Sequence, residues 1–108
     1  MNSPISPVVT AASSSPTVAA LRRTFVMKSI LGLHARPSSL IVKTLQTYEC
    51  QVTVACGDAT VEAGSIFGLL SLAAGYDSRM TFSAAGRDAT KALDAIQHLF
   101  DTNFEEAY

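Results

Sequence analysis

The stretch Gly32-Leu33-His34-Ala35-Arg36-Pro37 puts a histidine, an arginine two positions on and a proline one further at what reads as the opening of a helix. Pro37 lacks the N–H that a first helical turn leaves unpaired anyway, so it favours a helix start here rather than a break. Free backbone N–H groups at such a start, with the positive end of the helix dipole, favour a bound or covalently attached phosphate. Arg36 adds planar, permanently charged donors close by. A neutral imidazole in that place can act as a nucleophile toward a phosphoryl group, because it is partly unprotonated near neutral pH and its ring nitrogens carry an available lone pair. The competing reading of His34 is a cap or packing residue without chemistry.

The elements that would position this stretch follow from periodicity. Beyond Pro37, Leu40, Ile41, Leu45 and Tyr48 recur at helical spacing on one face, with Lys43, Thr44 and Thr47 mostly off it. Before it, residues 24–30 hold Phe25, Val26, Met27 and Ile30 and read as a first strand with loose alternation. After it, residues 50–56 alternate cleanly, so Cys50, Val52, Val54 and Cys56 are expected to face inward. Gly57-Asp58 is a two-residue hairpin signal, and Ala59, Val61 and Ala63 continue the apolar side on the return strand. Ser65 is a good N-cap for a short apolar segment over 66–73 that Gly75 ends. Residues 79–84 alternate again, with Met80, Phe82 and Ala84 on one side. Gly86 turns the chain, and Asp88 can cap a last helix whose inner face is Ala89, Ala92, Leu93, Ile96, Leu99 and Phe100, with His98 off that face. The order βαββαβα predicts an α+β fold in which a four-stranded antiparallel sheet buries one face beneath three helices.

Composition limits the function classes. The 108 residues suit one small domain, and 48% hydrophobic with 16% charged content supplies a core. No run approaches the ~18 consecutive apolar residues of a membrane span. The first basic residue is Arg22, which argues against a secretory signal, so a cytoplasmic protein is expected. Cys50 and Cys56 on one extended strand would stand roughly 20 Å apart, beyond disulfide reach, and no metal-ligand spacing accompanies them. The net charge of −1 is unevenly spread, because Arg22, Arg23, Lys28, Arg36 and Lys43 all precede the first acidic residue, Glu49. Such a split suits a site near the first helix that meets anionic partners, and the lack of a basic cluster with interleaved aromatics argues against nucleic-acid binding. Three segments are expected: a flexible leader over 1–21, a domain over 22–103 and an acidic tail over 104–108.

The hexapeptide around His34, followed by Gly64-Ser65-Ile66-Phe67-Gly68-Leu69-Leu70-Ser71-Leu72, closely resembles the HPr family of histidine-containing phosphocarriers of the phosphoenolpyruvate phosphotransferase system. The resemblance runs from about residue 22 to residue 100 and implies the open-faced β-sandwich of that family. By position, His34 matches the histidine whose δ1 nitrogen takes a phosphoryl group from enzyme I and hands it to an EIIA-type acceptor, giving a pros-phosphohistidine. Arg36 matches the arginine beside it, and the N–H groups of Ala35 and Arg36 are the expected phosphate donors. Ser65 matches the serine that HPr kinase/phosphorylase modifies in many members, although a plain N-cap accounts for it equally well. Ile66, Phe67 and Leu70 match an apolar patch through which the family docks on partners. The resemblance implies a phosphocarrier rather than an enzyme, monomeric, with no cofactor and no metal. Residues 99–106 look more like the nitrogen-related branch, so a nitrogen-branch carrier, or a purely regulatory module controlled at Ser65, is the alternative.

Overall fold

The structure, a computed structural model, describes residues 20–106. Its elements are β1 (Leu21–Val26), α1 (Ala35–Leu45), β2 (Gln51–Cys56), β3 (Ala59–Glu62), α2 (Ile66–Ser71), β4 (Arg79–Ala85) and α3 (Ala89–Asp101), then a single turn at Phe104–Glu106. The sheet runs β1-β4-β2-β3 with every neighbour antiparallel, the expected open-faced sandwich. β4 is central because its period-two apolar side is complete: Met80, Phe82 and Ala84 are fully buried, opposite Phe25, Val54 and Val52. The other face of the sheet is polar and open, where the Thr24 and Thr81 hydroxyls share a 2.8 Å hydrogen bond.

α3 buries all six residues of its expected inner face, while His98 is exposed. Its Phe100 ring stacks on Phe25 at 5.1 Å and meets Phe82 edge-on at 5.8 Å, which joins helix to sheet. On the surface, the Arg23 guanidinium of β1 reaches Asp94 of α3 at 2.7 Å. α1 buries Pro37, Ser38 and Ile41, with Leu40 and Leu45 half-buried against the same core.

Four details differ from the sequence-based expectations. The first strand lies at Leu21–Val26 rather than 24–30, because ladder pairing to β4 reaches back to Leu21 opposite Ala84. It ends where Met27 turns to bond the backbone of Ser78 and Asp77. Ile30, expected in that strand, is 79% exposed on the following loop. Of the residues expected to face inward here, Val52, Val54 and Ala63 are buried, whereas Cys50 and Cys56 are half-buried free thiols, Val61 is half-buried and Ala59, beside the turn at Gly57 (φ +60°), is exposed. Burial, with Asp88's charge second, pushes the Cys50 thiol pKa up. The packed unit also extends past 103: Phe104, placed in the tail by its acidic surroundings, is 1% exposed and sits edge-on to Phe100 at 5.0 Å. The leader's residues 1–19 and the tail's last two lie outside the described residues.

Asp88 holds the N-cap position of α3, yet its side chain caps nothing there. Its Oδ2 instead accepts the Glu49 N–H at 2.9 Å while its own N–H donates to the Glu49 carbonyl, fastening the α1–β2 connection to the start of α3. That backbone donor, helped by Arg87, holds the Asp88 carboxyl below the usual carboxylate range. A depressed native pKa gives stability that is present above the unfolded value and lost as pH falls through the native one. An Asp88→Asn variant should therefore melt below the wild type near neutrality and converge with it in acid, measured by thermal unfolding across that range.

Candidate functional site

His34 stands at the N-cap of α1 with extended backbone (φ −95°, ψ −168°), and its side chain makes no capping hydrogen bond. Its carbonyl accepts the Ser38 N–H at 3.1 Å, the first intrahelical bond. The N–H groups of Ala35 and Arg36 therefore precede the helical ladder and have no intrahelical acceptor, and Pro37 has no N–H to leave unpaired. No acidic residue lies in this first turn to compete for an anion. Arg36 is exposed and forms no salt bridge with a described residue. The imidazole itself is half-buried, with Nε2 sealed from solvent. Of the two ring nitrogens, Nε2 is closed to an external group.

The loop before the helix is anchored at several points. Leu33 is buried and its N–H donates to the Ala74 carbonyl at 2.8 Å, while Met27 exchanges bonds with Ser78 and Asp77. Gly32 sits between these anchors at φ +73°, and a Cβ there would lie 2.5 Å from the Ala74 carbonyl oxygen and 2.9 Å from Gly75 Cα. Only glycine satisfies both the left-handed backbone and the close approach. The segment just before the histidine is consequently clamped to the connection between α2 and β4, about forty residues on in the chain.

α2 belongs to the same end of the fold, since it leads into that connection and packs on α1. Ser65 caps it, its Oγ accepting the Gly68 N–H at 3.1 Å. Leu69 faces the core fully buried, which turns Phe67 outward at 81% exposure and Leu70 at 38%, with Ile66 half-buried. Periodicity missed three further exposed apolar residues at this end: Ile30 and Leu31 on the clamped loop, and Tyr76 on the connection it is clamped to. The available signal was that two adjacent apolar residues ahead of Gly32 cannot both point into a core. These exposed apolar side chains lie on α2, on the loop ahead of His34 and on the connection to which that loop is bonded. Among the described residues no group of His, Cys, Asp or Glu could hold a metal ion, and no helix is long and apolar enough to cross a membrane.

The family model described as the phosphorylation-site component of HPr matches residues 21–102. The chain belongs to the HPr family. It is 36% identical over 87 residues to the phosphocarrier protein NPr of Shewanella violacea, covering 81% of this chain and 96% of that one. With the phosphocarrier protein HPr of Treponema pallidum it shares 37% over 75 residues, 69% of this chain and 85% of the relative. In three dimensions it superposes on the HPr crystal structure from Thermoanaerobacter tengcongensis with a TM-score of 0.77 at 33% identity, across 82% of this chain and 99% of that one. The protein is therefore an HPr-type phosphocarrier of the phosphotransferase system, with the open-faced sandwich of that family.

Proposed function

We propose that this HPr-type protein carries its phosphoryl group on His34 Nδ1, receiving it from an enzyme I-like donor and passing it to an EIIA-type acceptor. The burial of Nε2 supports this reading, because it closes the other ring nitrogen to a partner. In the forward step the Nδ1 lone pair forms the N–P bond as the bond from phosphorus to the donor breaks, leaving its electron pair on the donor; the step reverses on the acceptor. Such transfer runs through a loose, charge-spread transition state, so positioned donors suffice. The Ala35 and Arg36 N–H groups, the dipole of α1 and the Arg36 guanidinium supply them. The protein is then a stoichiometric phosphorylated partner rather than a catalyst, working as a monomer in the cytoplasm.

Partners meet the apolar surface of Ile66, Phe67 and Leu70 next to the histidine, which Leu31 and Tyr76 widen. The near-equal identities to an NPr and to an HPr support either a sugar-branch or a nitrogen-branch acceptor. HPr kinase/phosphorylase is the proposed modifying partner at Ser65. Phosphorylation there would trade the Gly68 cap bond for a dianion still at the α2 N-terminus, so it would keep the helix and place charge beside Phe67, weakening docking. Ser65→Asp should accordingly weaken binding to enzyme I without unfolding the protein, as read by titration calorimetry; unchanged affinity would remove the regulatory role.

Incubation with enzyme I and phosphoenolpyruvate should yield an acid-labile, base-stable phosphoprotein. His34→Ala should abolish it, and persistence of the label in that variant would refute the assignment.

A further inference from the structure

The connection between α2 and β4 keeps a backbone shape that its residue types disfavour. Ala73 and Asp77 both adopt left-handed backbone (φ +52° and +70°), which residues with a Cβ hold only where surrounding bonds impose it. Those bonds are present. Asp77 donates its N–H to the Met27 carbonyl at 2.7 Å; Ser78 donates its own N–H to the Gly75 carbonyl at 3.1 Å, and its carbonyl accepts the Met27 N–H at 2.9 Å. One more bond comes from a side chain: the Ser78 hydroxyl oxygen accepts the Gly75 N–H at 3.0 Å. That N–H belongs to the same peptide group as the Ala74 carbonyl, which accepts the Leu33 N–H at 2.8 Å. A peptide group is planar, so a bond at its nitrogen end governs where its oxygen points.

We propose that Ser78 is a positioning residue for phosphoryl transfer at His34: its hydroxyl fixes the Ala74–Gly75 peptide plane, whose carbonyl holds Leu33 and so sets the histidine one residue on. The proposal rests on the carrier reading and deepens it. The plane needs a tether at its nitrogen end because Gly75, without a Cβ, leaves it free to turn. Turning it away would strand the N–H of buried Leu33. The two bonds also reinforce each other, since donation by the N–H polarises the carbonyl of its own group. Water can take the place of the hydroxyl on this exposed turn, but an untethered molecule imposes no direction on the plane. A reacting nitrogen has to be held in line with phosphorus, and small misplacements of its backbone slow the reaction.

The test compares wild type with Ser78→Ala, which removes the hydroxyl and leaves every backbone bond of the turn, and with Ser78→Thr, which restores it. The alanine variant should melt within a few degrees of wild type, because the lost bond is solvent-exposed. Its Leu33 amide should exchange with solvent about two- to tenfold faster, the equivalent of one hydrogen bond, and should resonate closer to a free amide. Single-turnover transfer from phospho-enzyme I, at saturating carrier so that docking does not enter, should slow by a similar factor. Ser78→Thr should return exchange and rate to wild-type values. A transfer rate in Ser78→Ala equal to that of wild type, or a loss that Ser78→Thr leaves in place, would overturn the role of Ser78 while leaving the carrier reading intact. Failure of wild type to take up phosphate at His34 would instead overturn the carrier reading, and this proposal with it.

Discussion

Replacing Gly32 with alanine should lower the melting temperature by about 8–40 °C and slow His34 phosphorylation in whatever folded protein remains. Two costs add. A Cβ at φ +73° pays about 1–2 kcal/mol for left-handed backbone. The same atom would stand 2.5 Å from the Ala74 carbonyl oxygen, backbone that cannot swing aside like a flexible side chain, and relieving such overpacking costs about 1–3 kcal/mol more. For a domain of this size each kcal/mol is worth about 4–8 °C. The functional loss has a separate origin: moving Gly32 away from Ala74 breaks the Leu33 N–H bond and shifts the helix start that sets the imidazole. A melt within a few degrees of wild type would mean the loop is not clamped.

Phe104→Ala should destabilise the fold by about 3 kcal/mol, near the lower bound for emptying a buried aromatic site. Phe104 is 1% exposed against Phe100, which in turn stacks on Phe25 and meets Phe82, so the vacancy opens at one end of a continuous row of rings. Its backbone shows how much this burial is worth. Asn103, Phe104 and Glu105 are all left-handed (φ +51°, +56° and +63°), a conformation that persists only where packing over-determines it. Thr102 helps by accepting the Glu105 N–H at 3.1 Å while donating back into the last turn of α3. Phe104→Leu should recover most of the loss in urea unfolding, because it refills the site. An unfolding midpoint unchanged by the alanine would show that the turn contributes nothing to the core.

The features legible in the sequence were those that depend on neighbours in the chain. The inner face of α3 and the apolar side of β4 repeat at 3.6 and 2.0 residues, and every residue they name is buried. Ser65 caps α2 as its type and place imply, whereas Asp88 answers a donor from Glu49, thirty-nine residues earlier, which no local rule anticipates. Phe104 looked like tail because one aromatic among acidic residues carries no period; its burial is decided by Phe100 and by backbone that non-glycine residues rarely adopt. Ile30 looked like strand on composition alone, while ladder pairing with β4 stopped at Val26. In the site, the motif singled out His34 and Arg36 at once. The clamp of Gly32 on Ala74 and the inward Nε2 belong to the tertiary structure and have no signature in spacing.

The central claim is that one particular nitrogen bears the phosphoryl group, and phosphorus–nitrogen coupling measures it. Protein labelled with nitrogen-15 at histidine and phosphorylated by enzyme I should show a single phosphorus resonance coupled to Nδ1 of His34. Coupling to Nε2, or to either nitrogen of the exposed His98, would contradict the account.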